Sequence, residues 1–168
     1  MKKEVKNLEF IDLGLSVKWA NMNVGAEKEV ENGDYFSWKD VIESKGWDWS
    51  DYLSEKNGEA VDLGDNCRMP SEEEWKELIE KCTWEWELIE GVKGYKVTSR
   101  ENRESIFLVA SGCKCGEEVY FDGKGGYYLS NTVCERIENA AMGLVFRAGH
   151  KNMYLAGSYK RSVRLVKE

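Results

Sequence analysis

Between Ser71 and Val109 the hydrophobic spacing of this chain changes from the helical repeat to the strand repeat, and that switch restricts the fold more than any other feature. Ser71 stands three residues before Glu74, the spacing of a capping box, in which each side chain satisfies an orphan amide of the first turn. Glu72, Glu73 and Glu74 also lie where the helix dipole favours negative charge. Trp75, Leu78, Ile79 and Cys82 then recur at i, i+3, i+4 and i+7, which is one buried face. From Trp84 the pattern alternates: Trp84, Trp86 and Leu88 are interleaved with Glu85 and Glu87, and Tyr95 and Val97 continue it. The dense run over residues 105–109 reads as a central strand. Strands are also expected around Tyr127–Leu129, Met142–Phe146, residues 152–155 and residues 162–166.

Upstream, residues 8–13 and 16–20 read as two strands around a turn at Gly14, and residues 25–35 as loop. A short helix is expected over residues 39–44, with Ser37 as its cap. Residues 46–66 read as an irregular excursion anchored by Trp47, Trp49 and Tyr52. With helices early and short strands late, the class is α+β and not doubly wound. No proline-rich linker or internal repeat divides the chain, so residues 1–168 are expected to form one domain.

Charge narrows the partners. The formal net charge is −7, with 31 acidic against 24 basic residues, whereas a phosphate-tracking surface needs clustered Lys and Arg; a nucleic-acid partner is disfavoured. No apolar run reaches the length needed to cross a bilayer. The start carries lysines with no apolar segment behind them, which leaves two readings: a chain that works without secretion, in the cytoplasm or on a phage particle, or a surface protein whose leader was replaced by a start codon.

The residue types that carry chemistry are sparse. His150 is the single histidine and sits in the polar run Gly149-His150-Lys151-Asn152, without a G-x-S-x-G turn anywhere, so a triad is not supported and a contact role stays open. Cys113-Lys114-Cys115 has no second pair for zinc; with Cys67, Cys82 and Cys134 it reads as reduced thiols of loop and core. Asp62 and Asp65 around Gly64 lack the EF-hand periodicity. Gly123 to Gly126 is not followed by Gly-Lys-Ser/Thr and reads as a hairpin turn. No metal or cofactor is expected. Trp19, Trp38, Trp75 and Trp86 fall on core faces, while Trp47 and Trp49 are the candidates for exposure.

Several segments, in order, resemble the Fibrobacter succinogenes major paralogous domain, a family abundant in gut Bacteroidetes. They are Phe10-Ile11-Asp12-Leu13-Gly14-Leu15-Ser16-Val17-Lys18-Trp19-Ala20 with Asn23-Val24-Gly25-Ala26, then Gly33-Asp34-Tyr35-Phe36-Ser37-Trp38, then Cys67-Arg68-Met69-Pro70-Ser71 with Glu74-Trp75 and Leu78. Cys82-Thr83-Trp84, Gly94-Tyr95-Lys96-Val97-Thr98, Ser105-Ile106-Phe107-Leu108, Gly126-Tyr127-Tyr128-Leu129-Ser130-Asn131-Thr132 and Arg161-Ser162-Val163-Arg164-Leu165-Val166 continue the match over residues 10–166.

That family is similar to the formylglycine-generating-enzyme branch of the C-type-lectin-like fold, which also supplies the variable proteins diversified by retroelements in phages and gut bacteria. The resemblance implies a non-catalytic module that displays varied, outward side chains from about residues 125–165 and binds a protein or glycan. Carried over, the display residues are Leu129, Asn131, Val133, Arg147, His150, Asn152, Tyr154, Ala156, Tyr159 and Lys160. Met142, Leu144, Phe146 and Val163 would hold the core beneath them, and Tyr, Asn and Arg are good interface anchors.

Departures bear on the rival readings. The enzymes of this branch use a C-terminal cysteine pair, for which Cys113, Cys115 and Cys134 are poor matches. The calcium-dependent Glu-Pro-Asn or Gln-Pro-Asp motif is missing, Pro70 being the one proline. Leu129 stands where the family usually has Trp. An enzyme of that branch, or a structural module of a phage particle or cell surface, are the alternatives.

Overall fold

The computed structural model describes residues 7–42, 48–137 and 140–168. Among these are helices α1 (Trp38–Ile42), α2 (Trp49–Asn57) and α3 (Glu72–Lys81). Short strands come first: β1 (Phe10–Ile11), β2 (Lys18–Ala20) and β3 (Cys67–Arg68). After α3 the chain is almost all strand: β4 (Cys82–Ile89), β5 (Val92–Ser99), β6 (Ser105–Val109), β7 (Cys113–Cys115), β8 (Glu118–Tyr120), β9 (Gly125–Val133), β10 (Ala141–Arg147), β11 (His150–Ala156) and β12 (Val166–Lys167). The named strands pair antiparallel in four small sheets, ordered β1-β2-β12-β3, β11-β10-β9, β4-β5-β6 and β7-β8. The architecture is therefore mixed, with few short helices and many antiparallel strands. No helix among the described residues is long and apolar enough to cross a membrane.

Helix α3 begins as its sequence requires. The Glu74 amide donates to the Ser71 hydroxyl at 3.2 Å, and the Ser71 amide donates to the Glu74 carboxylate at 2.8 Å. Its apolar stripe puts Trp75 and Leu78 out of contact with solvent. Trp75 lies 4.7 Å from Trp19 and 5.7 Å from Tyr128, ring centroid to centroid, and its indole N–H donates to the Leu129 carbonyl at 3.2 Å. This is the centre of a first core that also takes Val97, Leu108, Leu144 and Phe146. A second core gathers Phe36, Trp38, Trp49 and Leu53 against Leu129, Ala141, Ala156, Val163 and Leu165. The β11-β10-β9 sheet stands between the two. Because successive side chains alternate across a strand, Tyr128, Leu144 and Phe146 enter the first core, and Leu129, Ala141 and Ala156 enter the second.

The segment 160–167 stitches these units together. Lys160 exchanges backbone hydrogen bonds with Lys114, and Arg161 with Phe36; the Ser162 amide donates to the Tyr127 carbonyl, and the Leu129 amide to the Ser162 carbonyl. The Val24 and Ala20 amides donate to the Val163 and Leu165 carbonyls, and Val166 pairs with both Trp19 and Arg68. Residues 161–166 are all buried. Arg164 is the fixed point of this seam: Nε donates to the Asn23 side-chain oxygen at 2.9 Å, and the two terminal nitrogens to the Ala20 and Phe107 carbonyls at 3.1 and 2.7 Å.

Five expectations need correcting. The stretch 46–66 holds a true helix, α2, whose N-cap Asp48 accepts from the Ser50 amide at 2.7 Å and whose C-cap Gly58 is left-handed. Trp49 is buried within it, not exposed, because Trp49 and Leu53 at i, i+4 make an inward stripe; Trp47 lies outside the described residues, as do residues 43 and 44 of the expected first helix. Residues 105–109 form an edge strand, β6, with β5 at the centre; the edge is covered, since the Phe107 carbonyl faces Arg164. The expected hairpin turn over Gly123 to Gly126 is a turn at residues 122–124 joining strands of different sheets, with Gly125 and Gly126 already in β9, and of residues 162–166 only Val166 belongs to a ladder strand.

Candidate ligand-binding face

One face of the β11-β10-β9 sheet carries most of the residues singled out from the sequence, and the register orders them in cross-strand rows; Tyr159 and Lys160 follow β11, outside the sheet. Gly125, Arg147 and His150 form one row, followed by Tyr127, Val145 and Asn152, then Leu129, Gly143 and Tyr154, then Val133, Ala141 and Ala156. The two ends of this face differ. Around Leu129, Ala141 and Ala156 the second core covers it; around Tyr127, Val145 and Arg147 it is open, and a groove of about 560 Å³ lies there.

Two predicted display residues are thereby corrected. Leu129 is 1% exposed and Ala156 4%, so neither reaches a partner. Both alternate correctly with the first core, but the opposite face at their end of the sheet is also covered. Arg147, Asn152, Tyr154, Tyr159, Lys160 and Val133 are exposed; His150 and Asn131 are half-buried. The groove brings Arg147, His150 and Tyr154 together, with the His150 Nε2 and Tyr154 hydroxyl 2.7 Å apart. Asn152 lies in the next register position, its oxygen accepting from the Met153 amide at 2.8 Å. Tyr159 packs near Tyr120, with ring centroids 6.2 Å apart, and Lys160 is held through its backbone. Val133 is at the far end of the face. Asn131 is tied down, donating to the Met69 carbonyl at 3.2 Å while its amide donates to Pro70.

The structure adds Phe121, Lys124 and Tyr127 to the groove and Tyr120 beside it. Phe121 is 55% exposed and lies 5.9 Å from the Tyr127 ring. A signal for this was present: Tyr120-Phe121 is an aromatic pair between a polar turn and glycines, with no buried register to account for it. Tyr127 was legible as the outward neighbour of the core residue Tyr128.

Behind Tyr127 sits Arg161. Its guanidinium carbon is 5.4 Å from the Tyr127 ring centroid, the residue is 6% exposed, and Nε and one terminal nitrogen have no hydrogen-bond partner. Burial lowers its pKa from the ordinary arginine value; the nearby groups acting in the other direction are Cys113 and Tyr127. Burial raises both the Cys113 thiol and the Tyr127 phenol, which keeps them neutral near pH 7, so neither supplies the guanidinium with a counter-charge. Gly143 makes the space: a Cβ there would lie 2.7 Å from the Tyr128 carbonyl oxygen and 3.4 Å from the Arg161 terminal nitrogen.

A larger depression of about 780 Å³ meets the groove at Lys124, but its walls are mainly glycine and backbone, with Glu31 and Asp122 balancing Lys93 and Lys124. It offers neither rings nor a single sign of charge. No protein-family model, no curated protein and no solved structure matches the chain, so the reading of this face rests on its own geometry.

Proposed function

We propose that the chain is a non-catalytic display module with a C-type-lectin-like fold of the formylglycine-generating-enzyme branch, akin to the retroelement-diversified variable proteins, and that it recognises a protein or glycan through its C-terminal surface. One observation carries this reading: exposed aromatic and cationic side chains project from a sheet whose reverse face is core, so contacts are presented from a rigid support. The fold assignment draws on where the resembling segments lie. Trp19, Trp75 and Arg164 belong to them, and all three are completely buried at the junction of the sheets.

A nucleophilic cysteine needs a lowered pKa; burial pushes the Cys67 thiol up to about 11 and also raises Cys82 and Cys113, which makes these three poor nucleophiles.

The test has two parts. A protein-and-glycan array probed with the wild-type chain and with the combined Arg147→Ala, Tyr154→Ala, Tyr159→Ala variant is expected to show at least a roughly ten-fold loss of affinity for any ligand found, with little change in melting temperature. Undiminished binding by the triple variant sinks this face as the recognition surface. Sequencing the flanking DNA then addresses diversification: a reverse transcriptase beside a near-copy of the codons for residues 125–165, differing mainly at adenines, supports it, and the lack of both removes that part of the reading.

A further inference from the structure

We infer that the groove on the open end of the β11-β10-β9 sheet is specific for glycans bearing carboxylate groups, the sugar rings lying on Phe121, Tyr127 and Tyr154 and the carboxylates facing Arg147 and Lys124. The inference rests on the display reading above and names its ligand class.

Two observations converge on an acidic ligand. The ionisable side chains lining the groove are Lys124, Arg147, His150 and two tyrosines; no carboxylate lines it among the described residues, although the chain carries 31 acids against 24 bases. In a protein of that balance, an acid-free lining favours anions over cations within the groove. Second, Arg161 places a guanidinium behind the Tyr127 wall with two nitrogens unpartnered. A buried cation without a counter-charge is costly, and its field is weakly screened, so an anion in the groove offsets a cost the free protein carries.

Groove shape selects the glycan over other acidic partners. At about 560 Å³ the groove matches small-ligand sites. It lies across the face of the sheet, where the backbone groups of β9 and β10 are already spent in the ladder. An extended peptide held by strand addition needs a free edge, so the groove offers it no main-chain register. What the groove does offer is flat rings: Phe121 and Tyr127 at a 30° interplanar angle, and Tyr154 joined to His150 through its hydroxyl. Rings flanked by cations and hydroxyl partners suit a pyranose with an acidic substituent.

Arg161 is a positioning residue in this scheme. It acts through Tyr127 and through the field, not by touching the ligand.

The experiment is calorimetric titration of the full chain with galacturonic, glucuronic and N-acetylneuraminic acid trimers, each beside its methyl-esterified counterpart, and with tri-glutamate. Esterification removes the charge and keeps the rings. At least one acid trimer is expected to bind ten-fold or more tightly than its ester, with the difference shrinking as salt is raised. Arg147→Gln and Lys124→Gln, both at exposed positions, are expected to reduce the acid preference without changing the melting temperature. Arg161→Met should reduce the preference while leaving the melting temperature equal or higher, because an uncompensated buried charge is removed; a purely structural arginine would give a lower melting temperature and an unchanged preference. Equal binding of acid and ester, with both lost in Tyr127→Ala, overturns the charge specificity but keeps the display face. Binding of none of the trimers, or tri-glutamate binding as tightly, overturns the glycan assignment. Neither result touches the array comparison that decides the display face itself.

Discussion

Replacing Trp75 by alanine is expected to destabilise the chain by about 3–5 kcal/mol, the cost of deleting a large buried aromatic side chain. For a protein of this size that corresponds to a fall in melting midpoint of roughly 10 °C. Trp75 is 0% exposed, packs at an angle against both Trp19 and Tyr128, and donates its indole N–H to the Leu129 carbonyl. The truncation therefore opens a cavity in the first core and leaves a carbonyl of the sheet without its side-chain donor. Trp75→Phe fills part of the space and should recover about half the loss. Urea denaturation of the three proteins side by side reads this directly; a Trp75→Ala protein within about 1 kcal/mol of wild type would show that the ring does not occupy the centre described.

The second large effect is expected at Arg164, and its interest lies in the contrast with Arg161. Both guanidinium groups are buried, and burial lowers the pKa of each. Arg164, however, has hydrogen bonds from Nε and from both terminal nitrogens, to Asn23, Ala20 and Phe107. Arg164→Met leaves three buried acceptors without those donors, at about 1–3 kcal/mol each, while relieving the cost of burying the charge. A net loss of about 3 kcal/mol is expected. Lysine does not rescue it, because one ammonium cannot reproduce a planar fork aimed at three divergent acceptors. Melting curves of Arg164→Met and Arg164→Lys provide the check: if both unfold like wild type, the hydrogen bonds of the seam contribute nothing net.

The two arginines, three residues apart, also show where reading the sequence stops. The capping box at Ser71 and the stripe through Trp75 and Leu78 are local patterns, so the start of α3 was legible to the residue; the stripe was carried too far, since Cys82 is the first residue of β4. The alternation through Met142, Leu144 and Phe146 likewise gave the inward face of β10. Alternation says only which residues share a face, however, not what lies opposite it. Leu129 and Ala156 were placed on the display face by the family resemblance; the second core, built from α1, α2 and the seam, closes over their end of the sheet. Asp48 as a cap for α2 could have been read, but the polar composition around Trp49 drew attention to exposure instead. Nothing local distinguishes Arg161 from Arg164, since one lacks hydrogen-bond partners and the other has three only through residues far away in the chain.

That distance sets the order in which the molecule can assemble. Arg164 bonds to Ala20 across 144 positions and to Asn23 across 141, so the seam can form only after a loop of nearly the whole chain has closed. Such closure costs entropy before any contact returns it, and topologies dominated by distant pairings fold slowly. The α3 turn and the β4-β5-β6 meander, whose partners are neighbours in sequence, are free to form first. Fastening of the 160–167 segment should then be the late step, visible in stopped-flow refolding as tryptophan burial that lags behind the far-ultraviolet signal. Until that step completes, β2 and β3 lack the β12 strand that joins them and the edges of the other sheets stay open, so the chain is at its most vulnerable to association with its own copies.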